Sequence, residues 1–112
     1  MGNDGILVRA NIRLLPAAES GRTTPVRASY RPNHNFFGPE NRTMTVGFID
    51  LPEGRELHPG ESIEVPITFW KWPGLEELIY PGREWRIQEG QRLVGFGTVI
   101  EICRPSGEAA RS

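Results

Sequence analysis

The chain has 112 residues, 38% of them hydrophobic, which suits one domain with one core. Its net charge of −1 removes any bulk electrostatic argument for a nucleic-acid partner. A single cysteine, Cys103, excludes an internal disulfide, and no apolar run approaches the length of a membrane span.

The distribution of charge says more than its total. Residues 1–42 hold six arginines against Asp4, Glu19 and Glu40, residues 48–78 hold seven acids against Arg55 and Lys71, and residues 79–112 are nearly neutral. Twelve of the thirteen basic residues are arginine, which suits bidentate contact with phosphate or carboxylate. A GC-rich genome would give the same bias. The opening residues lack a signal-peptide pattern, so a cytoplasmic location is expected. Thirteen glycines and ten prolines favour short strands joined by turns over helices.

From Ile6 to Leu15 apolar and polar residues alternate, predicting a strand with Val8, Ala10, Ile12 and Leu14 on one face. Pro16 to Gly21 reads as a turn. The stretch Arg22 to Pro32 then carries Arg22, Arg27 and Arg31 and no acid. Pro25 and Pro32 restrict its backbone, and Pro32 biases Arg31 toward an extended conformation. A short, stiff, basic segment suits contact with phosphates, although a solvated loop would look the same. Asn35 to Phe37 is a short strand candidate, followed by the breaker cluster Gly38-Pro39-Glu40-Asn41.

Thr43 to Leu51 reads as a strand with Met44, Val46 and Phe48 sharing a face, turned by Pro52-Glu53-Gly54. Ser62 to Trp70 alternates most clearly, and Pro66 places it at a sheet edge or gives it a bulge. Phe69 and Trp70 point to opposite faces, and the segment Lys71 to Arg83 is expected to fold back and cover the outward one. One helical turn is expected within that segment, from Leu75 to Tyr80. Glu84 to Ile87 and Arg92 to Cys103 are the last two strands, joined by a turn at Glu89-Gly90-Gln91. Gly95 and Gly97 fit a close backbone approach or sharp curvature.

Six short strands without a helix of useful length predict an all-β fold, an antiparallel closed β-barrel, with a sandwich as the alternative. One domain over residues 1–104 and a frayed tail over 105–112 are expected. No catalytic constellation can be assembled. A phosphate-cradling G-x-x-x-x-G-K-[ST] loop is absent, and His34, His58 and Cys103 lack metal-site spacing. No enzyme activity, cofactor or metal is therefore expected.

Ser20-Gly21-Arg22-Thr23-Thr24-Pro25, Tyr30-Arg31-Pro32 and the Phe36-Phe37 pair resemble the start of the C-terminal β-barrel, domain 3, of elongation factor Tu. Thr43 to Gly54, the Pro59-Gly60-Glu61 turn and Trp85 to Val99 resemble later parts of the same domain, in the same order. The resemblance spans about Ile6 to Ile102 and implies a small six-stranded barrel without the GTPase domain. In that family the barrel contacts the aminoacyl-tRNA backbone and packs against the GTPase domain and the exchange factor. Arg22, Thr24, Tyr30 and Arg31 match the tRNA-facing motif, Thr23 stands for a histidine, and Asn33 for a glutamine. Val46 stands where a threonine hydroxyl would reach RNA, and Arg86 where a small alanine meets the GTPase domain. The segments at 38–42 and 71–83 are longer than their counterparts.

The resemblance implies a non-catalytic, translation-linked module that contacts tRNA or other RNA through Arg22, Thr23, Thr24, Tyr30, Arg31 and Asn33, with Arg27 as an additional basic contact. The alternative is a protein-interaction module that uses Trp72, Glu76, Glu77 and Arg86 to bind a partner of the elongation factor. A third reading is a small domain recruited for a structural role. No nucleotide or membrane partner is expected.

Overall fold

The computed structural model describes residues 5–28 and 30–104. The expected tail, residues 105–112, lies outside the described residues.

Alternation builds the first strand as expected. In β1 (Gly5–Leu14) Ile6, Val8, Ala10, Ile12 and Leu14 are buried, while Arg9 and Arg13 face solvent. Pro16 then opens a one-turn helix, α1 (Ala17–Ser20), inside the segment expected to be only a turn. Gly21 stops it in the left-handed region at φ 80°, where a Cβ would be strained.

The next two strands are displaced or shorter than expected. β2 (Asn33–Asn35) starts before the predicted Asn35 to Phe37. The Asn35 side chain explains this: its Oδ1 accepts the Phe37 N–H at 2.9 Å and its Nδ2 donates to the Gly38 carbonyl at 2.8 Å, turning the chain off the ladder. β3 (Gly47–Ile49) covers only part of the predicted Thr43 to Leu51: the Asp50 N–H still donates across to the Pro66 carbonyl, but proline has no N–H to return the bond, and the Leu51 N–H turns back to the Ile49 carbonyl. Met44, Val46 and Phe48 do share a face, and it is the outer one; Thr45, Gly47 and Ile49 face inward and are buried.

β4 (Ser62–Trp70) has the predicted bounds, but it is an interior strand between β1 and β3. Pro66 is accommodated because its carbonyl accepts the Asp50 N–H, on the side where β3 has already ended. The missing donor therefore falls at the last cross-strand contact, opposite Asp50, where the ladder stops. The segment after β4 forms a single 3₁₀ turn, Leu75–Leu78, and inserts Leu75 and Ile79 into the core. β5 (Glu84–Glu89) and β6 (Arg92–Arg104) follow as a hairpin, and Gly90 at φ 63° permits its tight turn.

All six strands form one antiparallel sheet in the order β2-β5-β6-β1-β4-β3, so the sandwich alternative is set aside. The sheet curls into a half-barrel, and its two outermost strands approach at a single bridge. There the Thr45 N–H donates to the His34 carbonyl at 2.7 Å and the His34 N–H donates back at 3.2 Å. A continuous ladder joining β2 to β3 is not formed among the described residues. No helix among them is long and apolar enough to cross a membrane.

The concave side holds an aromatic cluster of Phe36, Phe69 and Trp85, with ring centroids 5.3–5.5 Å apart. Gly97 lies directly across from Trp85, and a Cβ there would stand 2.3 Å from the indole ring. At Gly95 a Cβ would stand 2.5 Å from the Arg13 carbonyl. The two glycines serve close approach, one to a side chain and one to backbone.

Candidate nucleic-acid interface

The stretch from Arg22 is tied down by backbone bonds between Val26 and Leu57, and the Val26 side chain is buried in the core. Its arginines have different fates. Arg22 is turned inward: its Nε donates to the Thr24 carbonyl at 3.0 Å and its Nη2 to the Pro25 carbonyl at 3.1 Å. Its Nη1 pairs with Glu89 at the end of β5, and its guanidinium lies 5.1 Å from the Tyr30 ring centroid. The Tyr30 hydroxyl donates to the same Glu89 carboxylate at 2.7 Å, and Arg92 donates to its other oxygen at 2.8 Å. Arg22, Tyr30, Glu89 and Arg92 thus form one polar knot that fastens the loop to the β5–β6 hairpin.

The knot shifts its members' acidities. Burial and the Glu89 charge push the Tyr30 hydroxyl well above its ordinary value. Burial pushes Glu89 upward, but the hydrogen bonds from Tyr30 and Arg92 and the two arginine charges overcome it and hold the carboxyl below its ordinary value. Both groups stay in one protonation state near neutrality, which fits an anchor better than an acid–base pair.

Arg27 is exposed and paired with Glu56, Nη2 to Oε2 at 2.6 Å. Arg31 differs. It is exposed, it lies 5.3 Å from the Phe48 ring centroid, and it has no carboxylate partner among the described residues. Thr23 and Thr24 are exposed on the same loop, and Asn33 is half-buried in β2. Of the six residues expected to face RNA, Arg22 and Tyr30 are therefore engaged within the fold, whereas Arg31, Thr23 and Thr24 present free polar groups.

The residues expected at a protein interface do not form one patch of unsatisfied groups. Trp72 donates from Nε1 to the Thr45 hydroxyl at 3.2 Å and packs against Phe37. Glu76 is paired with Lys71 at 2.9 Å, Arg86 donates to Gln88 at 3.2 Å, and Glu77 is exposed.

Sequence reasoning missed three features. Asn35 is a hub: buried, it also donates to Gln88 at 2.9 Å and accepts from Asn41 at 3.2 Å, ordering the loop after β2. His34 is fully buried, and its Nδ1 accepts the Trp85 indole N–H at 3.0 Å. That bond places the proton of the neutral ring on Nε2, which has no partner. Burial pushes His34 down to about 4, opposed only weakly by the Gly47 backbone. The third feature corrects an expectation. Trp70 is 55% exposed, so the segment after β4 does not cover it. The reason is that Leu75 and Ile79 draw this segment into the core instead. Among the signals available, only the parity of Phe69 and Trp70 pointed to this.

Among the described residues no three His, Cys, Asp or Glu side chains are grouped to hold a metal ion. No protein-family model matches the sequence.

Proposed function

We propose that this protein is a non-catalytic, cytoplasmic binding module that contacts the backbone of RNA, tRNA included, through the loop bearing Arg31. The reading takes the curled sheet as the closed β-barrel of the elongation factor Tu domain 3 type, working in translation without a GTPase domain. One observation carries it. Arg31 is an exposed guanidinium, set against an aromatic ring and left without a carboxylate among the described residues, next to Tyr30, which the Glu89 knot ties down. Thr23 and Thr24 add exposed hydroxyls on the same loop. Arg27, already neutralised by Glu56, contributes less. Arg22 and Tyr30 position this surface and do not touch the ligand. The protein-interaction alternative draws less support, since Trp72, Glu76 and Arg86 each have an internal partner.

The test is Arg31→Ala in filter binding to tRNA over a range of salt. Loss of one phosphate contact lowers affinity and reduces the slope of log affinity against log salt by about 0.7–0.9. An unchanged affinity and slope would remove Arg31 from the interface and the reading with it.

A further inference from the structure

The outer face of β3 and β4 carries an apolar strip that the arginine loop does not explain. Val46 and Trp70 lie opposite each other, joined by the Trp70 N–H to Val46 carbonyl bond at 2.8 Å. They are 60% and 55% exposed. On one side of them Met44 and Trp72 line a shallow groove of about 530 Å³ with Phe37, whose ring centroid is 6.4 Å from that of Trp72. On the other side Phe48 carries the Arg31 guanidinium. From Met44 to Phe48 the strand advances about 13 Å, at ~3.3 Å per residue.

One end of the strip is cationic: Arg31 stands there on Phe48 and has no carboxylate partner among the described residues. Arg42, exposed, lies in sequence between the groove residues Asn41 and Thr43. Lys71, between the two tryptophans, is neutralised by Glu76. Glu40 and Asp50 flank the strip in sequence, but its outward residues from Met44 to Phe48 and from Thr68 to Trp72 include no acid. Exposed aromatic rings beside an unneutralised guanidinium complement a flexible polyanion that carries its own π faces.

We infer that this strip is a stacking platform for unpaired bases, so that the RNA bound is single-stranded or has a single-stranded segment beside its backbone contact. The inference rests on the RNA-binding reading and names its substrate class. Trp70 is the central stacking residue, Trp72 and Phe37 extend the platform, and Arg31 joins it to the backbone contact. A duplex offers no free base faces and would use only the arginines.

The experiment compares a short oligouridylate with an A-form RNA duplex, using the parent, Trp70→Ala and Arg31→Ala, with tryptophan fluorescence and filter binding as readouts. The parent should bind the oligouridylate with quenching of its exposed tryptophan. Trp70→Ala should lose about tenfold in affinity for the oligouridylate, the loss expected of one stacked base, and little for the duplex. Because Trp70 is exposed, this variant should keep its fold, checked by its unfolding curve. Arg31→Ala should weaken both ligands. If Trp70→Ala binds the oligouridylate like the parent, the platform is refuted while the arginine contact stands. If only Arg31→Ala is without effect, the backbone reading fails and the platform stands. If neither RNA binds, both fall. A parent that sediments as a dimer, with Trp70→Ala a monomer, would assign the strip to a second copy of the chain and refute the platform.

Discussion

Replacing Arg22 by alanine separates its structural role from an RNA-contacting one. The guanidinium makes two bonds to main-chain carbonyls, at 3.0 and 3.1 Å, pairs with Glu89 and covers the Tyr30 ring. The Arg22 and Glu89 side chains are only 18% and 24% exposed, so solvent replaces these contacts poorly. Charge-assisted bonds contribute about 1.5–3 kcal/mol each, and an exposed ion pair less than about 1 kcal/mol. Discounting for partial exposure, Arg22→Ala should cost about 3 kcal/mol, on the order of 10 °C in Tm. In contrast, Arg31→Ala should change stability by less than about 0.5 kcal/mol, the usual range for an exposed side chain.

Urea unfolding, followed by the fluorescence of the buried Trp85, measures both variants. A fall in midpoint with an unchanged slope is expected for Arg22→Ala. Arg22→Lys should recover under half of the loss, because an ammonium cannot reach two carbonyls and a carboxylate in the same planar fork. If Arg22→Ala unfolds within about 0.5 kcal/mol of the parent, the guanidinium is solvated and the knot is not an anchor. A double variant lacking Arg22 and Arg31 should likewise be destabilised through Arg22 and not through Arg31.

Two further outcomes follow from the core. Gly97→Ala would place a methyl 2.3–2.7 Å from three atoms of the Trp85 ring, and should cost at least ~1–3 kcal/mol in calorimetry as overpacking; a neutral result would mean the indole has room to move. His34 has a folded pKa pushed from 6.5 to about 4, so between these values the unfolded chain binds the extra proton and stability falls as pH falls. The loss approaches about 3 kcal/mol at pH 4, and His34→Gln should flatten the pH dependence across that window. A parent stable and unchanged from pH 6.5 to pH 4.5 would refute the buried neutral ring. Glu89, with its lowered pKa, adds a loss of the same sign at lower pH, as its carboxylate takes up a proton.

Local pattern made β1 and β4 legible, because alternation assigns each residue a face, and β6 was legible as a long apolar run after the Glu89-Gly90-Gln91 turn. It failed where pairing depended on distant partners. The start of β2 depends on which residues meet Gln88 and Arg86 in β5, and on Asn35 bonding forward into the loop. The end of β3 depends on Asp50 reaching Pro66. Pro66 itself pointed to an edge, and the sheet supplied the same vacancy by stopping β3 early. At the candidate site the stretch Arg22 to Pro32 was visible as basic, but its charge budget was not. Glu89, which neutralises Arg22, lies far downstream, and so does Glu56, which neutralises Arg27. Composition marked three equivalent arginines, and folding left one of them free.

That sorting joins the knot, the loop and the strip into one arrangement. Glu89 draws in Arg22 and Tyr30, which fixes the chain just before Arg31. The Ile49 N–H reaches back to the Tyr30 carbonyl at 3.5 Å, a long contact that brings the loop alongside β3. Phe48, the residue before Ile49, then receives the Arg31 guanidinium. From Phe48 the outward residues continue through Val46 to Met44, and Thr45, between these two, carries the bridge to His34. The inner face of that short run holds the only seam between the outermost strands among the described residues, and its outer face holds the proposed platform. A strand with so few ladder bonds would be a weak support by itself. It is supported by the His34–Trp85 bond inside and by the Trp72–Thr45 bond beside it, both made by tryptophans that could otherwise have packed without a polar partner. Buried polar contacts of this kind fix geometry more than they add stability. Fixed geometry is what a surface of separated rings and one free guanidinium needs in order to meet a flexible ligand.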